Sequence, residues 1–142
     1  MCIRDRYFNQ VIKSKPWLAE PYFYRAVAKI NLDDFKGAEE DCTLCLQRNP
    51  FLTQAYYARG IARQSQEKYD EAIAFFDEAI EMNPSFAKAY SERGRAKNLK
   101  GDKTGAFEDL KKSLELNPES EEAQKMNGQH SNFDDMYKGG IF

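Results

Sequence analysis

Residues 53–84 read TQAYYARGIARQSQEKYDEAIAFFDEAIEMNP. The order of residue types in this stretch decides the fold. Small and apolar residues recur at helical spacing in two runs, Tyr56 and Gly60 in the first, then Ala72, Phe76, Ala79 and Ile80 in the second. Residues three and four apart share one face of a helix, so each run predicts an amphipathic helix. Between the runs lies a polar break, Glu67-Lys68, and after the second run comes Asn83-Pro84. The break is too short for anything but a tight turn, so the two helices lie antiparallel.

The same pattern recurs on both sides. Pro16, Pro50, Pro84 and Pro118 are spaced 34 residues apart, and the last three each follow an asparagine. Tyr22, Tyr56 and Tyr90 fall in phase, as do Ala26, Gly60 and Gly94, then Arg25, Arg59 and Arg93. Ala38, Ala72 and Ala106 align, and so do Leu46, Ile80 and Leu114. A fixed period of this length marks a stack of supersecondary units. The breaks Asp33-Asp34 and Gly101-Asp102 correspond to Glu67-Lys68, and aspartate at a helix start caps free amides and suits the helix dipole. Proline cannot continue a helix. The asparagine before it is expected to end the helix in the left-handed conformation it tolerates.

These residues resemble the tetratricopeptide repeat family. The likeness rests on Tyr-x-x-x-Gly/Ala in the first helix, the mid-repeat Ala, a large residue four later, a small one three beyond, and Asn-Pro at the end; it covers about residues 7–127. It implies an all-α fold, an alpha-alpha superhelix (solenoid) of antiparallel helix-turn-helix repeats over 19–52, 53–86 and 87–120. Residues 7–18 are expected to be the second helix of a partial repeat, 119–127 a capping helix and 128–142 a flexible tail. Residues 1–6, MCIRDR, break the phase, since Arg4 stands where a small residue belongs. They are expected to be a frayed or non-native N-terminus resembling a translated adapter, on a fragment of a longer repeat protein.

The family also implies a use. First helices line a concave groove, and on that side the phase places Glu20, Phe23, Val27, Ile30, Gln54, Tyr57, Ile61, Gln64, Lys88, Ser91, Arg95 and Asn98. Phe23, Val27, Tyr57 and Ile61 form an apolar stripe, while Ser91, Arg95 and Asn98 continue it as a polar surface. Some family members clamp a C-terminal carboxylate with lysine, asparagine and arginine side chains. The matching positions here are Phe23, Val27, Ala58, Lys88 and Glu92. Only Lys88 agrees, so that activity is not expected. The expected partner is a protein or peptide segment with an apolar anchor, bound without catalysis. Two other roles fit the family: a structural spacer within a longer solenoid, or an accessory to a catalytic domain outside this chain.

Packing expectations follow from the phase. Gly60 faces Phe76 and Gly94 faces Leu110, with Ala26 against Cys42, so volume lost on one helix is returned by the other. Arg25 and Arg93 are placed to pair with Asp41 and Asp109, whereas repeat two offers Phe75 at that position. Arg59 is therefore expected to reach back to Asp41.

Several function classes find no support. The chain has 142 residues, a net charge of −2 and mixed signs, unlike the basic face of a nucleic-acid binder. No stretch approaches the roughly 18 apolar residues of a membrane span. A lone His130 leaves no histidine pair for a metal, and three cysteines make a poor disulfide framework. Cys42-Thr-Leu-Cys45 spells C-x-x-C, but it falls on two core positions inside a helix rather than at a helix start, where the dipole activates a thiol. Glu39, Glu40 and Asp41 form an acidic run expected to be a solvated helix face. No glycine-rich phosphate loop or nucleophile motif is present, so no cofactor or metal is expected. No export signal is visible, which makes the cytoplasm the default compartment, and the oligomeric state is undetermined.

Overall fold

A computed structural model describes residues 3–118, with side chains from Arg6 onward. Its seven helices are α1 (Ile3–Ser14), α2 (Glu20–Asn31), α3 (Phe35–Arg48), α4 (Thr53–Ser65), α5 (Tyr69–Met82), α6 (Ala87–Lys100) and α7 (Lys103–Leu116). Among the described residues there is no strand, and no helix is long and apolar enough to cross a membrane. The expected capping helix at 119–127 and the tail at 128–142 lie outside the described residues. The first helix begins at Ile3 and ends at Ser14, so it starts before the boundary expected at residue 7 and stops short of residue 18. Pro16 explains the stop, because the residue before a proline is pushed out of the helical region.

Each helix packs on its sequence neighbours. The first helices of successive repeats also touch, α2 on α4 and α4 on α6. The solenoid therefore has an inner layer of α2, α4 and α6 and an outer layer of α1, α3, α5 and α7. The core runs between the layers and includes Ala26, Ala38, Cys42, Ala72, Phe76 and Ala79.

Two kinds of turn repeat along the stack. Within each repeat the first helix closes in a left-handed residue, Asp33 (φ 62°), Glu67 (φ 62°) or Gly101 (φ 99°). In repeat one the amide of Asp34 donates to the Lys29 carbonyl and that of Asp33 to Ile30; Lys68 to Arg63 with Glu67 to Gln64, and Asp102 to Lys97 with Gly101 to Asn98, repeat the arrangement. This double bond is the Schellman closure, which satisfies carbonyls the helix leaves over. The next helix starts on Asp34 or Asp102, whose carboxylates accept from the amides of Gly37 (3.0 Å) and Gly105 (2.9 Å). Lys68 makes no such side-chain cap, and α5 carries Asp70 and Glu71 in its first turn instead.

The second kind of turn corrects the sequence reading. Asn49, Asn83 and Asn117 do not adopt the left-handed conformation; their φ values are −141°, −139° and −139°. The following proline excludes the helical region and favours this extended backbone. What asparagine contributes is its side chain: Oδ1 of Asn49 accepts from the Phe51 amide at 3.1 Å, and Oδ1 of Asn83 from Ser85 at 3.2 Å.

Gly60 meets Phe76 as expected. A Cβ there would lie 2.5 Å from the Phe76 ring. Gly94 behaves differently. Its missing side chain admits the backbone of α7, with the Ala106 carbonyl 3.0 Å from where a Cβ would stand, rather than the Leu110 side chain.

Two predictions follow from these positions. Gly60→Leu overpacks the seam against Phe76 and should cost about 1–3 kcal/mol in a thermal or urea melt; an unchanged melt would place Gly60 on the surface. Glu67→Gly should do the opposite. It removes a side chain from a left-handed residue and should stabilise the protein by about 0.5–1 kcal/mol, read as a raised melting temperature.

Candidate functional site

The inner layer carries a cleft of about 290 Å3 lined by Phe23, Tyr24, Val27, Gln54, Tyr57, Phe86 and Lys88. Three helices build it. Phe23, Tyr24 and Val27 lie on α2 within about one turn, Gln54 and Tyr57 stand on α4, and Phe86 and Lys88 flank the start of α6. The walls are aromatic and aliphatic, and Lys88 and Gln54 are exposed at the rim. Tyr57 is only 2% exposed; its ring packs 5.1 Å from Phe86 and 5.8 Å from Phe76. It is thus a wall of the cleft and a member of the core at once.

Of the groove residues expected from phase, the structure gathers Phe23, Val27, Gln54, Tyr57 and Lys88 around this cleft. Ile30 and Ile61 do not reach it. Both are buried in the core between the layers, because the period that marks the inner side of a helix also marks its contact with the neighbouring helix. Ile61 therefore does not line the cleft with Tyr57, its neighbour on the apolar stripe. Gln64, Ser91, Arg95 and Asn98 are half-buried further along α4 and α6 and do not line the cleft. Gln64 donates to the Glu92 carboxylate at 3.4 Å, and Glu92 is buried.

Two lining residues were missed in the sequence reading. Phe86 is the last residue of the repeat 53–86 and was not placed on the groove side; it occupies the N-cap position of α6, with its ring 5.1 Å from that of Tyr57. Tyr24 falls in phase with Ala58 and Glu92. Those two are buried, and Glu92 accepts a hydrogen bond from Gln64 of the preceding first helix. Among the described residues no first helix precedes α2, and Tyr24 is 48% exposed. The phase of Ala58 and Glu92 was the available signal.

Ion pairs hold the frame of the site. Arg25 grips Asp41 with two bonds, at 2.8 and 2.5 Å, and donates a third to Asn9 of α1 at 2.9 Å. Arg93 grips Asp109 at 2.9 and 2.7 Å and reaches Asp77 of the preceding repeat at 2.7 Å. Asn9 and Asp77 occupy the same repeat position, so each arginine stitches its own helix pair to the one before. Lys29 and Lys97, one turn on, add a second cation to Asp41 and Asp109. The bonds to Asp41 and Asp109 raise the pKa of Arg25 and Arg93 above the ordinary arginine value.

Arg59 departs from expectation. It does not reach Asp41, whose oxygens Arg25 and Lys29 already occupy. Its guanidinium lies 4.6 Å over the Phe75 ring and 4.0 Å from Glu39. Arg63 approaches Glu39 at 2.5 Å, off the line of a hydrogen bond, and bonds Glu71 at 2.9 Å. The acidic run is therefore not one solvated face. Asp41 is 1% exposed and Glu39 is half-buried; only Glu40 faces water.

Cys42 and Cys45 are fully buried in α3. Burial, reinforced by their mutual repulsion, pushes the Cys42 thiol up to about 12, and burial pushes Cys45 up to about 11. Thiols held neutral this way are poor nucleophiles. The pH dependence has a definite sign. Below the ordinary value of 9.0 both states keep their protons and the thiols' contribution is whole. Above it the unfolded chain ionises first, so stability falls as pH rises toward the native values. Urea melts should show stability declining from pH 9 upward, with a shallower decline in a Cys42→Ala, Cys45→Ala double variant; equal slopes would show that the thiols are not buried.

Comparison with known proteins bears on this arrangement. The tetratricopeptide repeat family model matches residues 53–86 and again 87–120. No curated protein matches the sequence. Among solved structures, the tetratricopeptide repeat domain of Arabidopsis OM64 is 31% identical, with a TM-score of 0.63 over 66% of this chain and 78% of that one. The first such domain of Spaghetti (RPAP3), bound to the HSP90 peptide SRMEEVD, is 24% identical, with a TM-score of 0.71 over 76% of this chain and 86% of that one. A crystal structure of MamA is 23% identical, with a TM-score of 0.72 over 89% of this chain and 70% of that one.

Proposed function

This chain belongs to the tetratricopeptide repeat family, whose repeats mediate protein–protein interaction, and from that premise we infer that it is a non-enzymatic scaffold whose inner cleft binds a peptide segment. The observation that carries the reading is the cleft itself. Phe23, Tyr24, Val27, Tyr57 and Phe86 present aromatic and aliphatic surface on the inner layer, with Lys88 at the rim. A rigid apolar wall beside one cation suits a peptide with an apolar anchor and an acidic residue close by. Aromatic walls of this kind usually dominate the binding energy.

The binding mode differs from carboxylate capture. The RPAP3 domain binds a peptide ending in EEVD. At the positions that match a carboxylate clamp this chain has Phe23, Val27 and Ala58, which donate no side-chain hydrogen bond, and the acid Glu92. Glu92 is buried beside Gln64 and accepts its hydrogen bond, so it offers an acceptor where a clamp needs a donor. The anchor and not the peptide terminus is the recognised element.

The test is a selection of displayed random peptides on the full chain, followed by affinity measurement on the enriched sequence. Tyr24→Ser and Lys88→Glu alter exposed positions and should leave the fold intact. Each should weaken binding more than about threefold, roughly 0.6 kcal/mol. The peptide SRMEEVD should bind more weakly than the selected one. If neither substitution matters, the cleft is not the site; if SRMEEVD binds best, the chain captures carboxylates after all.

A further inference from the structure

The cleft continues past the walls described above. A second hollow of about 510 Å3 lies over the turns that open α4 and α6, with Phe51, Leu52 and Ser85 in its lining. It shares Gln54, Phe86 and Lys88 with the cleft. The two hollows are therefore lobes of one groove. Phe23, Val27 and Tyr57 wall the first lobe, and Phe51, 80% exposed, lines the second. The turns of the second lobe are fixed, since Asn49 and Asn83 accept from the Phe51 and Ser85 amides. Among the described residues Lys88 is the only charged side chain lining either lobe, and it belongs to both. Glu81 and Glu115, exposed at this end of the helices, line neither.

Two apolar lobes joined at a cation match a segment with two apolar side chains and acid between them. The chain has such a segment. Phe133-Asp134-Asp135-Met136-Tyr137 places an aromatic ring on each side of an acidic pair. It falls within residues 119–142, which follow α7 and lie outside the described residues. Four residues of extended chain separate two side chains by about 13 Å, comparable to the roughly 8–10 Å between packed helices. The point of departure is also close. α7 packs antiparallel on α6, so Leu116 at its end lies beside the start of α6, where Phe86 and Lys88 stand. The 15 residues from Pro118 to Phe133 reach up to about 50 Å, several helix widths.

We propose that residues 133–137 occupy this groove in their own chain, with Phe133 and Tyr137 in the two lobes and Asp134 and Asp135 at Lys88, a placement that rests on the cleft being the binding site. Tethering gives the segment an effective concentration on the order of millimolar, so a contact too weak to hold a free peptide still fills the groove. The acidic pair facing one cation sets the register of the segment. A protein partner with the same pattern has to displace it, and the exposed Phe51 gains a cover.

The probe is a fluorescein-labelled synthetic peptide of residues 131–138, SNFDDMYK, titrated by anisotropy. One target is the full chain; the other is the full chain carrying Phe133→Ser and Tyr137→Ser, with helical circular dichroism unchanged. The peptide should bind the variant saturably and the unaltered chain at least about fivefold more weakly, because there the groove is already filled. Adding Lys88→Glu to the variant should weaken the probe about tenfold, and a probe with Asp134→Lys and Asp135→Lys should recover that loss. Equal affinity for the two chains overturns the proposal, as does a probe indifferent to Lys88→Glu. A dimer of the unaltered chain that the double substitution abolishes also overturns it, since the segment then fills a second copy. If the probe fails on the variant while a selected peptide still binds the cleft, this inference falls and the cleft remains a binding site. If both peptides fail, the cleft reading falls and takes the inference with it.

Discussion

Two antiparallel helices can lie close only where one of them gives up side-chain volume to the other, and every larger feature of this solenoid depends on that condition. In repeat two Gly60 yields to the Phe76 ring. In repeat three Gly94 yields to the backbone of α7. In repeat one Ala26 and Cys42 are both fully buried. The three repeats close the seam with different residues, each filling the space the other helix leaves. Once the pair is close, Arg25 and Arg93 can reach across it to Asp41 and Asp109. Without it neither the buried charges nor the cleft would have walls.

The ion pairs act at a second level. A surface pair contributes roughly 0–1 kcal/mol, whereas Asp41 is sealed from water and would be costly to leave alone. Lys29 and Lys97 supply a spare cation next to each arginine. Repeat two has exchanged this device for a stacked Arg59–Phe75 contact and a Glu39 shared between Arg59 and Arg63. Charge thus follows the same 34-residue rhythm as the apolar residues, with one substitution of means.

The fold was legible because its signal is repeated: prolines, tyrosines, small residues and arginines keep one period. Errors arose where two causes share a pattern. Ile61 and Tyr57 both fall on the inner side of α4, yet Ile61 is spent in the core and only Tyr57 touches the cleft; periodicity assigns a face and cannot divide that face between a neighbouring helix and solvent. Phe86 was missed for the converse reason: it keeps the 34-residue period with Leu18 and Leu52 but stands outside the helical runs from which the groove side was read. The asparagines were misread because left-handed residues and the residue before proline obey opposite rules, and here the proline rule prevails. The Arg25–Asp41 pair was legible from the phase; the solvated reading failed because it grouped Asp41 with its sequence neighbours Glu39 and Glu40 instead of with that pair.

Contacts in this chain run from each helix to its neighbours along the stack. The cleft is an exception in kind, since its lining comes from α2, α4 and the start of α6 at once. Anything seated there spans two seams that are otherwise closed separately. Occupancy would therefore act as a clip on the superhelix, stiffening its curvature and suppressing the opening of either seam. Conversely, bending the rod would change the grip on its guest. Elasticity and affinity would then be two readings of one equilibrium.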